Sequence, residues 1–546
     1  MSASSKKKLR NEQEAVKLTE RQLAEQKEAK KVKAYTVAFA AVMVVIVAIF
    51  LVAAISNFVT ASGIREKNTV AMTVGETEIS NAELNYFFID TVNTFYSQNG
   101  SYASLFGLDV TKPLDEQVFD TTTGDTWADY FLDSAKDSAH SVYAMAEAAE
   151  AAGHTLTEDE QASMESTLQY LSAYAGLYGY SDTESYLKAM YGNGASEKSY
   201  TAYVEKSILA DSYYNAYQAS LSFDDAALRE AEAENYNGYS SYTYSYYYLA
   251  ASRFLEGGTT SEDGTTVTYS DEEKAASIEA AEEAAKSLID EKVTSIETFD
   301  LAIGALDVNE GTTAASTYCE DTLYSSVGST IVDWVSDESR QAGDKTYIPS
   351  TSTSTNEDGE EVTAVTGYYV VLFESSNDNN FAMKNVRHIL AEFEGGTTDE
   401  DGHTVYSDEE KAAAKAEAEA LLEEWKSGDA TEDSFAALAN EKSDDGDGTT
   451  GGLYENIIPS SDYVENFLNW TLEATTPGET GIIETEYGYH VMYFVGDSEL
   501  TYRDYMIENH LTADAMNTWY EEVLASVTAT DGNTSYVTTG LILSNG

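Results

Sequence analysis

The chain has 546 residues, with 31 basic and 95 acidic side chains and a formal net charge of −64. This length exceeds what a single hydrophobic core normally supports, so several domains are expected. The negative charge would repel a phosphate backbone, which excludes nucleic acid as a partner. The single cysteine, Cys319, excludes an intramolecular disulfide, and the 40 tyrosines and 18 phenylalanines predict folded domains instead of acidic disorder.

The start of the chain predicts a membrane anchor. Residues 1–33 hold 10 basic and 5 acidic residues, and no charged residue occurs between Ala34 and Ile64. Residues 34–60 are long enough to cross a hydrocarbon core of ~30 Å as a helix. The positive-inside rule makes residues 1–33 a cytoplasmic tail and puts the rest outside, as in a single-pass protein of the cell membrane. A cleaved signal peptide is the alternative, although its apolar region is only ~7–15 residues long.

Residues 68–235 predict a helical domain. A short strand pair is expected at 70–80, and Ser80 with Glu83 matches the capping-box pattern that starts a helix. Further helices are predicted at about 125–152, 157–175, 183–191 and 197–221. Their tyrosine clusters could form a surface for unfolded segments, but packing between helices is the favoured interpretation for any single tyrosine. The clusters are Tyr170, Tyr174, Tyr178 and Tyr180, and Tyr213, Tyr214 and Tyr217.

The C-terminal region, 500–546, predicts one more helix at about Thr512–Ser526. Its apolar side carries Met516, Trp519 and Val523. Such a helix buries too little apolar surface to be stable alone. We therefore expect it to fold back onto the helical domain.

Two stretches in the second half of the chain are nearly identical. Residues 256–276 read EGGTTSEDGTTVTYSDEEKAA, and residues 394–413 read EGGTTDEDGHTVYSDEEKAA. Each predicts a hairpin followed by a capped helix, with Ser270 and Glu273 matching Ser407 and Glu410. About a hundred residues later, TGYYVV at 366–371 matches YGYHVM at 487–492. The chain therefore contains a duplicated module, with copies at 240–375 and 383–497.

The copies differ in their histidines. The second copy has His388 in its opening strand and His490 in its closing strand, whereas the first copy has no histidine between Tyr236 and Phe381. Residues without a basic nitrogen occupy the equivalent positions in the first copy, near Ala250 and at Tyr369. A paired imidazole site is therefore expected in one copy alone.

The second copy resembles the parvulin-type peptidyl-prolyl cis/trans isomerases over residues 383–497. The resemblance is carried by NVRHIL at 385–390, FAALA at 435–439, SDD at 443–445, GGL at 451–453, PGE at 477–479 and TEYGYH at 485–490. The whole layout is similar to that of membrane-anchored foldases of the bacterial envelope. The resemblance implies an α+β multidomain fold, in which each copy is a small antiparallel sheet wrapped by helices. The two histidine-bearing strands would then be neighbours at the centre of the second sheet.

The resemblance also assigns the site. It implies a polar group of catalytic residues, His388, Asp445, His490 and Thr485, and a substrate-binding proline pocket at Leu453, Tyr463 and Phe467. Tyr463 stands where the family commonly has methionine, and Tyr463 and Phe467 are expected to share one face of a helix. The competing interpretation is that two histidines on adjacent strands only hold the sheet together through a shared hydrogen bond. No metal and no other cofactor is expected.

The function implied is isomerisation of X–Pro bonds, with binding of unfolded or exported polypeptides, by a protein anchored through residues 34–60. The first copy is interpreted as a non-catalytic domain that holds substrate or acts as a spacer, with Cys319 a lone thiol. One alternative is a holdase chaperone without catalysis. A weaker alternative is a surface adhesin or cell-wall protein that uses these domains as scaffolding.

Overall fold

The computed structural model describes residues 63–261, 265–355, 359–399, 402–446 and 448–543. They form two compact units. The helical unit comprises residues 63–222 and 512–543, and the two-sheet unit comprises residues 223–511. The mixture of helices and sheets confirms the α+β class predicted from the sequence.

The helical unit begins with a β-hairpin, β1 (Val70–Val74) and β2 (Thr77–Ser80), preceded by the short helix α1 (Ile64–Asn68). The later helices are α2 (Asn81–Asn99), α3 (Trp127–Ala151), α4 (Glu158–Leu177), α5 (Thr183–Tyr191) and α6 (Glu197–Ser220), with 3-10 turns at Gly100–Phe106 and Leu114–Glu116. Capping boxes start α2, α3 and α4, which explains why these starts follow the sequence pattern closely. The core is rich in rings, including the fully buried Tyr86, Phe88 and Phe131.

The first copy in the two-sheet unit is a four-stranded antiparallel sheet in the order β6-β3-β8-β7. Its strands are β3 (Ser241–Ala250), β4 (Thr259–Thr260), β5 (Val267–Thr268), β6 (Thr317–Leu323), β7 (Lys345–Thr355) and β8 (Glu361–Asn377), of which β4 and β5 form a separate hairpin. The helices before and within it are α7 (Asp225–Glu234), α8 (Asp271–Leu288), α9 (Ile296–Gly304) and α10 (Val332–Val335), with 3-10 turns at Tyr236–Tyr239, Ala251–Phe254, Asp307–Asn309 and Tyr324–Ser326.

The second copy repeats this topology, with strand order β12-β9-β14-β13. Its strands are β9 (Ala382–Glu392), β10 (Thr397–Thr398), β11 (Thr404–Val405), β12 (Leu453–Ile457), β13 (Thr480–Glu484) and β14 (Gly488–Thr501), and its helices are α11 (Asp408–Ser427), α12 (Glu432–Lys442) and α13 (Glu465–Glu473). In each copy the chain-order sequence across the sheet is second, first, fourth, third. The opening and closing strands are therefore central neighbours in both copies.

The C-terminal helix is longer than the sequence predicted. It runs as α14 (Tyr502–Ser526) and is followed by β15 (Ala529–Asp531), which pairs with β1. The start at Thr512 was wrong because β14 leads into the helix without a turn, and Thr501 Oγ1 accepts the Asp504 N–H at 3.2 Å as a cap.

The predicted return of this helix to the helical domain is observed. Trp519 stacks on Tyr217 with ring centroids 4.0 Å apart, and Val523 is buried against Ala144 and Met145. The ring of Tyr213 lies 5.5 Å from that of Trp519. The cluster of Tyr213, Tyr214 and Tyr217 therefore packs helices together, as the favoured interpretation had it.

Among the described residues, no helix combines the length and the apolar character that a bilayer crossing requires. The membrane helix predicted at residues 34–60, and the cytoplasmic tail before it, lie outside the described residues.

Candidate functional site

The two histidines lie on neighbouring strands of the second sheet. Strands β9 and β14 are antiparallel, with Met492 opposite His388 and His490 opposite Leu390. Both histidines therefore point to the same face of the sheet, one step apart diagonally. Their Nδ1 atoms are 2.9 Å apart, and the side chains are only 2% and 5% exposed.

The histidine pair is the centre of a longer row of hydrogen bonds. His388 Nε2 lies 2.9 Å from Asp445 Oδ2, and the Tyr454 hydroxyl donates to the same oxygen at 2.8 Å. At the other end, Thr485 Oγ1 lies 2.8 Å from His490 Nε2. The structure therefore brings together all four residues of the predicted polar group, and adds Tyr454 to them.

The partners at the two ends assign the proton positions in this row. The Asp445 carboxylate accepts, so His388 donates from Nε2–H, and a neutral His388 then accepts at Nδ1. His490 must donate from Nδ1–H, which leaves its Nε2 to accept the Thr485 hydroxyl proton. The Tyr487 N–H donates to Thr485 Oγ1 at 3.2 Å. All four ring nitrogens of the row are then paired with both imidazoles neutral.

A short loop places Asp445 at the end of the row. Ser443 Oγ accepts the Leu390 N–H at 3.1 Å and the Asp445 N–H at 3.2 Å, while the Asp444 N–H donates to the Leu390 carbonyl at 2.9 Å. Asp444 Oδ2 accepts the Glu392 N–H at 3.0 Å. The Ser-Asp-Asp segment is thus fastened to the strand that carries His388, and Asp445 is the member of the segment left to face the imidazole.

The Gly451-Gly452 pair lets the next strand approach His388 closely. The His388 N–H donates to the Gly452 carbonyl at 2.9 Å. A Cβ on Gly452 would lie 2.1 Å from the His388 carbonyl oxygen, and both glycines have left-handed backbone angles, φ 64° and 63°. Only glycine fits such a position without strain. Arg387 adds two hydrogen bonds from Nη1 to the carbonyls of Thr450 and Gly451.

Aromatic and apolar side chains surround the row. The Phe467 ring centroid lies 5.3 Å from that of His388 and 5.8 Å from that of His490, and Tyr463 packs on Phe467 at 5.2 Å. Met492 is fully buried on the same face. Burial, with the negative charge of Asp445, raises the pKa of Tyr463, so its hydroxyl stays protonated at neutral pH.

Tyr463 does not lie on the predicted helix. Helix α13 begins at Glu465, so Tyr463 lies before the helix and does not share a helical face with Phe467. The ring still reaches Phe467 because the chain turns at Ser461, whose Oγ accepts the Ile458 N–H at 2.9 Å. The prediction that Tyr463 lies beside Phe467 is therefore correct, but the prediction that both lie on one helix was wrong.

Leu453 was placed in the proline pocket by the sequence, and the structure puts it on the other face of the sheet. It lies opposite Arg387 in the strand pair, whereas Tyr454 lies opposite Val386. Cross-strand partners point to the same side, and neighbours along a strand point to opposite sides. Val386 shares a face with His388, so Tyr454 is the residue that reaches the site, with its ring 4.9 Å from that of His388. Strict alternation along β12 was the signal that could have found Tyr454.

The register also corrects the equivalent positions in the first copy. Tyr369 aligns with His490, and Val371 aligns with Met492; Val371 pairs with Tyr246. The counterpart of His388 is therefore Tyr246, not a residue near Ala250. The error came from four inserted residues, the 3-10 turn Ala251–Phe254, which separate the strand from the EGG segment. Tyr246 and Tyr369 face each other with centroids 5.8 Å apart, so two phenol rings stand where the second copy has two imidazoles.

The helical unit carries an exposed aromatic patch that the sequence analysis did not single out. Its members are Tyr102, Leu105, Phe106, Val118, Phe119 and Tyr130. Leu105 is 79% exposed, Phe106 is 55% exposed, and Phe119 stacks on Tyr130 at 4.5 Å. Phe95 joins the two ends, because its ring lies 6.2 Å from that of Phe106 and 6.5 Å from that of Tyr130. Exposed apolar side chains grouped in this way commonly mark an interaction site.

Comparison with known proteins identifies the class of the second copy. Residues 369–496 match the family model of the PPIC-type PPIase domain. This match confirms the predicted resemblance to parvulin-type isomerases and the predicted enzyme class, peptidyl-prolyl cis/trans isomerase, for this part of the chain. A search of curated protein sequences gives no match.

Parts of the chain are similar to solved structures. The peptidylprolyl isomerase PrsA from Bacillus anthracis is 17% identical, with 27% of this chain and 59% of that chain covered and a TM-score of 0.16. PrsA from Bacillus subtilis is 20% identical, with coverages of 26% and 47% and a TM-score of 0.17. A SurA-like chaperone of Campylobacter jejuni is 22% identical, with coverages of 27% and 54% and a TM-score of 0.15. The chain spans about half the length of these proteins.

Proposed function

We propose that the protein is a peptidyl-prolyl cis/trans isomerase that also holds unfolded polypeptides outside the cell membrane. The observation that carries the catalytic part is the buried row Asp445–His388–His490–Thr485 beside the rings of Phe467 and Tyr463. Its residues lie within the stretch that matches the isomerase family model. We assign the catalytic role to the polar row and the grip on proline to the rings.

Isomerisation needs no covalent chemistry. The barrier of ~18–20 kcal/mol arises from amide resonance, which is lost when the X–Pro bond twists. The planar amide carries negative charge on its oxygen, and the twisted amide carries less. A carboxylate held near the carbonyl therefore disfavours the planar form more than the twisted form, and exclusion of water strengthens this effect. The side chain of Asp445 is 10% exposed and is held by Tyr454 and His388, which suits it to this role.

The histidines act as positioning residues in this proposal. His388 holds Asp445, and His490 holds His388 in the tautomer that donates to the carboxylate. Thr485 fixes His490 in turn. Neutral, hydrogen-bonded imidazoles cost little to bury, and they give the carboxylate one orientation.

The holding function is assigned to the exposed aromatic patch of the helical unit. Unfolded chains expose apolar side chains, and rings such as Phe106 and Phe119 gain ~1.5–3 kcal/mol each when a partner covers them fully. Between residues 100 and 130 the chain has six acidic residues and one basic residue, Lys112. This excess of negative charge in the same segment favours clients with basic residues next to their apolar segments.

Location and anchoring are part of the proposal. The uncharged stretch 34–60 and the basic residues before it support a single membrane helix with its N-terminus in the cytoplasm. Uncatalysed isomerisation takes tens of seconds, so chains leaving the membrane would benefit from a tethered isomerase. The clients would then be exported polypeptides that contain X–Pro bonds.

The test uses matched double variants of the full chain. His388→Ala/His490→Ala should lower X–Pro isomerisation of a short peptide strongly, because the carboxylate loses its support. Tyr246→Ala/Tyr369→Ala, at the equivalent positions of the first copy, should leave the rate unchanged. Circular dichroism checks that both variants fold.

The alternative function is a holdase without catalysis. It would be favoured by a parent protein that suppresses aggregation of an unfolded client yet shows no isomerisation above the uncatalysed rate. A parent that is active, with activity equally lost in both double variants, would contradict the assignment of catalysis to the second copy.

A further inference from the structure

A cavity of about 310 Å³ lies within the two-sheet unit, where the two copies meet. It is lined by Ser241 and Asp321 of the first copy, by Asn379 from the segment between the copies, and by Pro459 and Ser460 of the second copy. Its volume falls at the lower end of the range that small ligands and side chains occupy. Nothing in the proposed isomerase mechanism uses it.

A β-bulge aims Asp321 at this cavity. Tyr242 pairs with Thr322 and Tyr244 pairs with Cys319, so Glu320 and Asp321 together face the single residue Thr243. Asp321 has a left-handed backbone angle, φ 39°, and its N–H donates to Thr243 Oγ1 at 3.1 Å. Bulges of this kind redirect a side chain away from the alternation of the strand.

The second copy has the same bulge with a different outcome. Tyr454 pairs with Val386 and Ile457 pairs with Lys384, and Asn456 has φ 57°. Here the Asn456 side chain is held by a hydrogen bond within the second copy, because Asn456 Oδ1 accepts the Ser498 hydroxyl at 2.6 Å. Asn456 is therefore a structural residue. Its counterpart, Asp321, carries a charge and lines a cavity instead.

Asp321 forms no ion pair with the described residues around it. Asp321 is the only acidic residue among the described residues that line the cavity, the lining includes no lysine or arginine, and no ion pair of Asp321 is found in the described part of the chain. The Ser241 hydroxyl approaches its Oδ1 only at 3.5 Å. The Asn379 side chain, 2% exposed, brings a further oxygen that accepts from Ser241 at 3.2 Å. A carboxylate and neutral oxygens together form a site that suits a cation.

We propose that this cavity binds a primary ammonium or guanidinium group, and that the group is a lysine or arginine side chain of a polypeptide client. The ion would bind Asp321, and the rings of Phe381 and Tyr502, 5.7 Å apart, would cover its hydrocarbon stem. The assignment to a client rests on the proposed function. The position supports it, because Ser460 is only three residues before Tyr463, so a client bound beside Tyr463 would pass close to the cavity.

The experiment measures binding to the full chain with proline-free probes, so that it does not depend on isomerisation. The probes are an unstructured peptide with one central lysine, the same peptide with norleucine in place of lysine, and n-butylammonium. The variants are Asp321→Asn, which introduces the residue that the second copy has at its bulge, and Glu320→Gln as the control. Glu320 is exposed on the same bulge and does not line the cavity.

We expect the lysine peptide to bind the parent chain and the Glu320→Gln variant alike, about tenfold or more weakly to Asp321→Asn, and more tightly than the norleucine peptide. Equal binding to the parent and to Asp321→Asn would overturn the site. Binding of n-butylammonium that depends on Asp321, without binding of the lysine peptide, would overturn the assignment to a client in favour of a free amine. We also expect the Asp321→Asn variant to isomerise an uncharged X–Pro peptide at the parent rate, which would show that the cavity binds the client and does not take part in catalysis.

Discussion

At the scale of single residues, the site depends on the direction of its hydrogen bonds. The acceptor Asp445 at one end leaves one arrangement in which both imidazoles are neutral and all four ring nitrogens are paired, with the Thr485 hydroxyl as donor at the other end. Each histidine has one role in it: His388 contacts the carboxylate, and His490 holds His388. A change at one end is therefore expected to alter the tautomers of both rings.

Asp445→Asn tests this directly. The asparagine keeps the shape but can present an N–H to His388 Nε2, which would force His388 to accept there and reverse the row. We expect kcat/KM for X–Pro isomerisation to fall about 10- to 100-fold, with little loss of folding stability. Nitrogen NMR of the two imidazoles should show exchanged tautomers. Full activity together with exchanged tautomers would contradict the role given to the carboxylate.

Asp90 in the helical unit predicts a dependence of stability on pH. Desolvation raises its pKa from 3.8 to about 6, against the effect of the Tyr203 hydroxyl, which donates to Asp90 at 2.5 Å. Because the pKa of Asp90 is raised in the folded state, the contribution of protonated Asp90 to folding stability is fully present below about pH 4. This contribution is lost as the pH rises through about 6. Asp90→Asn should stabilise the unit at pH 7 by roughly 1–3 kcal/mol and change nothing near pH 3. Denaturant unfolding at the two pH values, followed by tyrosine fluorescence, would measure this; equal curves at pH 7 would contradict it.

At the scale of secondary-structure elements, the two copies share a helix start built in the same way. Glu410 accepts the N–H groups of Ser407 and Gly396, at 2.7 and 2.9 Å. Glu273 accepts those of Ser270 and Gly258 at 2.7 and 2.9 Å. Each carboxylate thus fastens the start of its helix to the glycine-rich segment before the hairpin.

These bonds lower the pKa of Glu410 and of Glu273 below the ordinary 4.5. Their stabilisation is therefore present above about pH 4.5 and is lost as the pH falls through the folded pKa. Glu410→Gln should lower Tm at pH 7, and the difference from the parent should shrink below pH 4. Glu273→Gln should behave in the same way in the first copy. A difference in Tm that stays constant down to pH 3 would refute the electrostatic origin.

How far the sequence predicted the structure differs between elements and side chains. Helix starts with a capping box, such as Ser80, were placed correctly because the signal is local. The adjacency of His388 and His490 followed from the family resemblance, and the register shows it. Three predictions were wrong: the pocket position of Leu453, the helix position of Tyr463 and the counterpart of His388 in the first copy. Each depends on a strand face or an insertion, and a one-residue slip or a four-residue turn changes the result without altering the pattern of motifs.

At the scale of the whole molecule, isomerisation and holding are assigned to separate units. The polar row lies in the two-sheet unit, and the exposed aromatic patch lies in the helical unit. The patch could not be predicted from the sequence, because its members come from a 3-10 turn, a loop and a helix without regular spacing. Separate units predict separable activities.

Phe106→Ser/Phe119→Ser should weaken client binding by about tenfold or more, because two rings lose the apolar surface they would bury. Isomerisation of a short X–Pro peptide should stay at the parent rate. Leu301→Ser is the matched control, since Leu301 is 73% exposed in the first copy and lies outside the patch. Aggregation of an unfolded client, followed by light scattering, measures the effect. An equal loss in the control would show that exposed apolar area in general, and not this patch, holds the client.

The bonds that assemble the polar row all arise between positions 388 and 490, so one module is chemically self-sufficient. The first copy has the same fold but takes no part in the polar row. It has tyrosines at 246 and 369 in place of the two histidines and an aspartate at 321, and none of these residues contributes to the bonds of the second copy's row. The first copy can therefore carry other side chains at these positions without altering the polar row of the second copy.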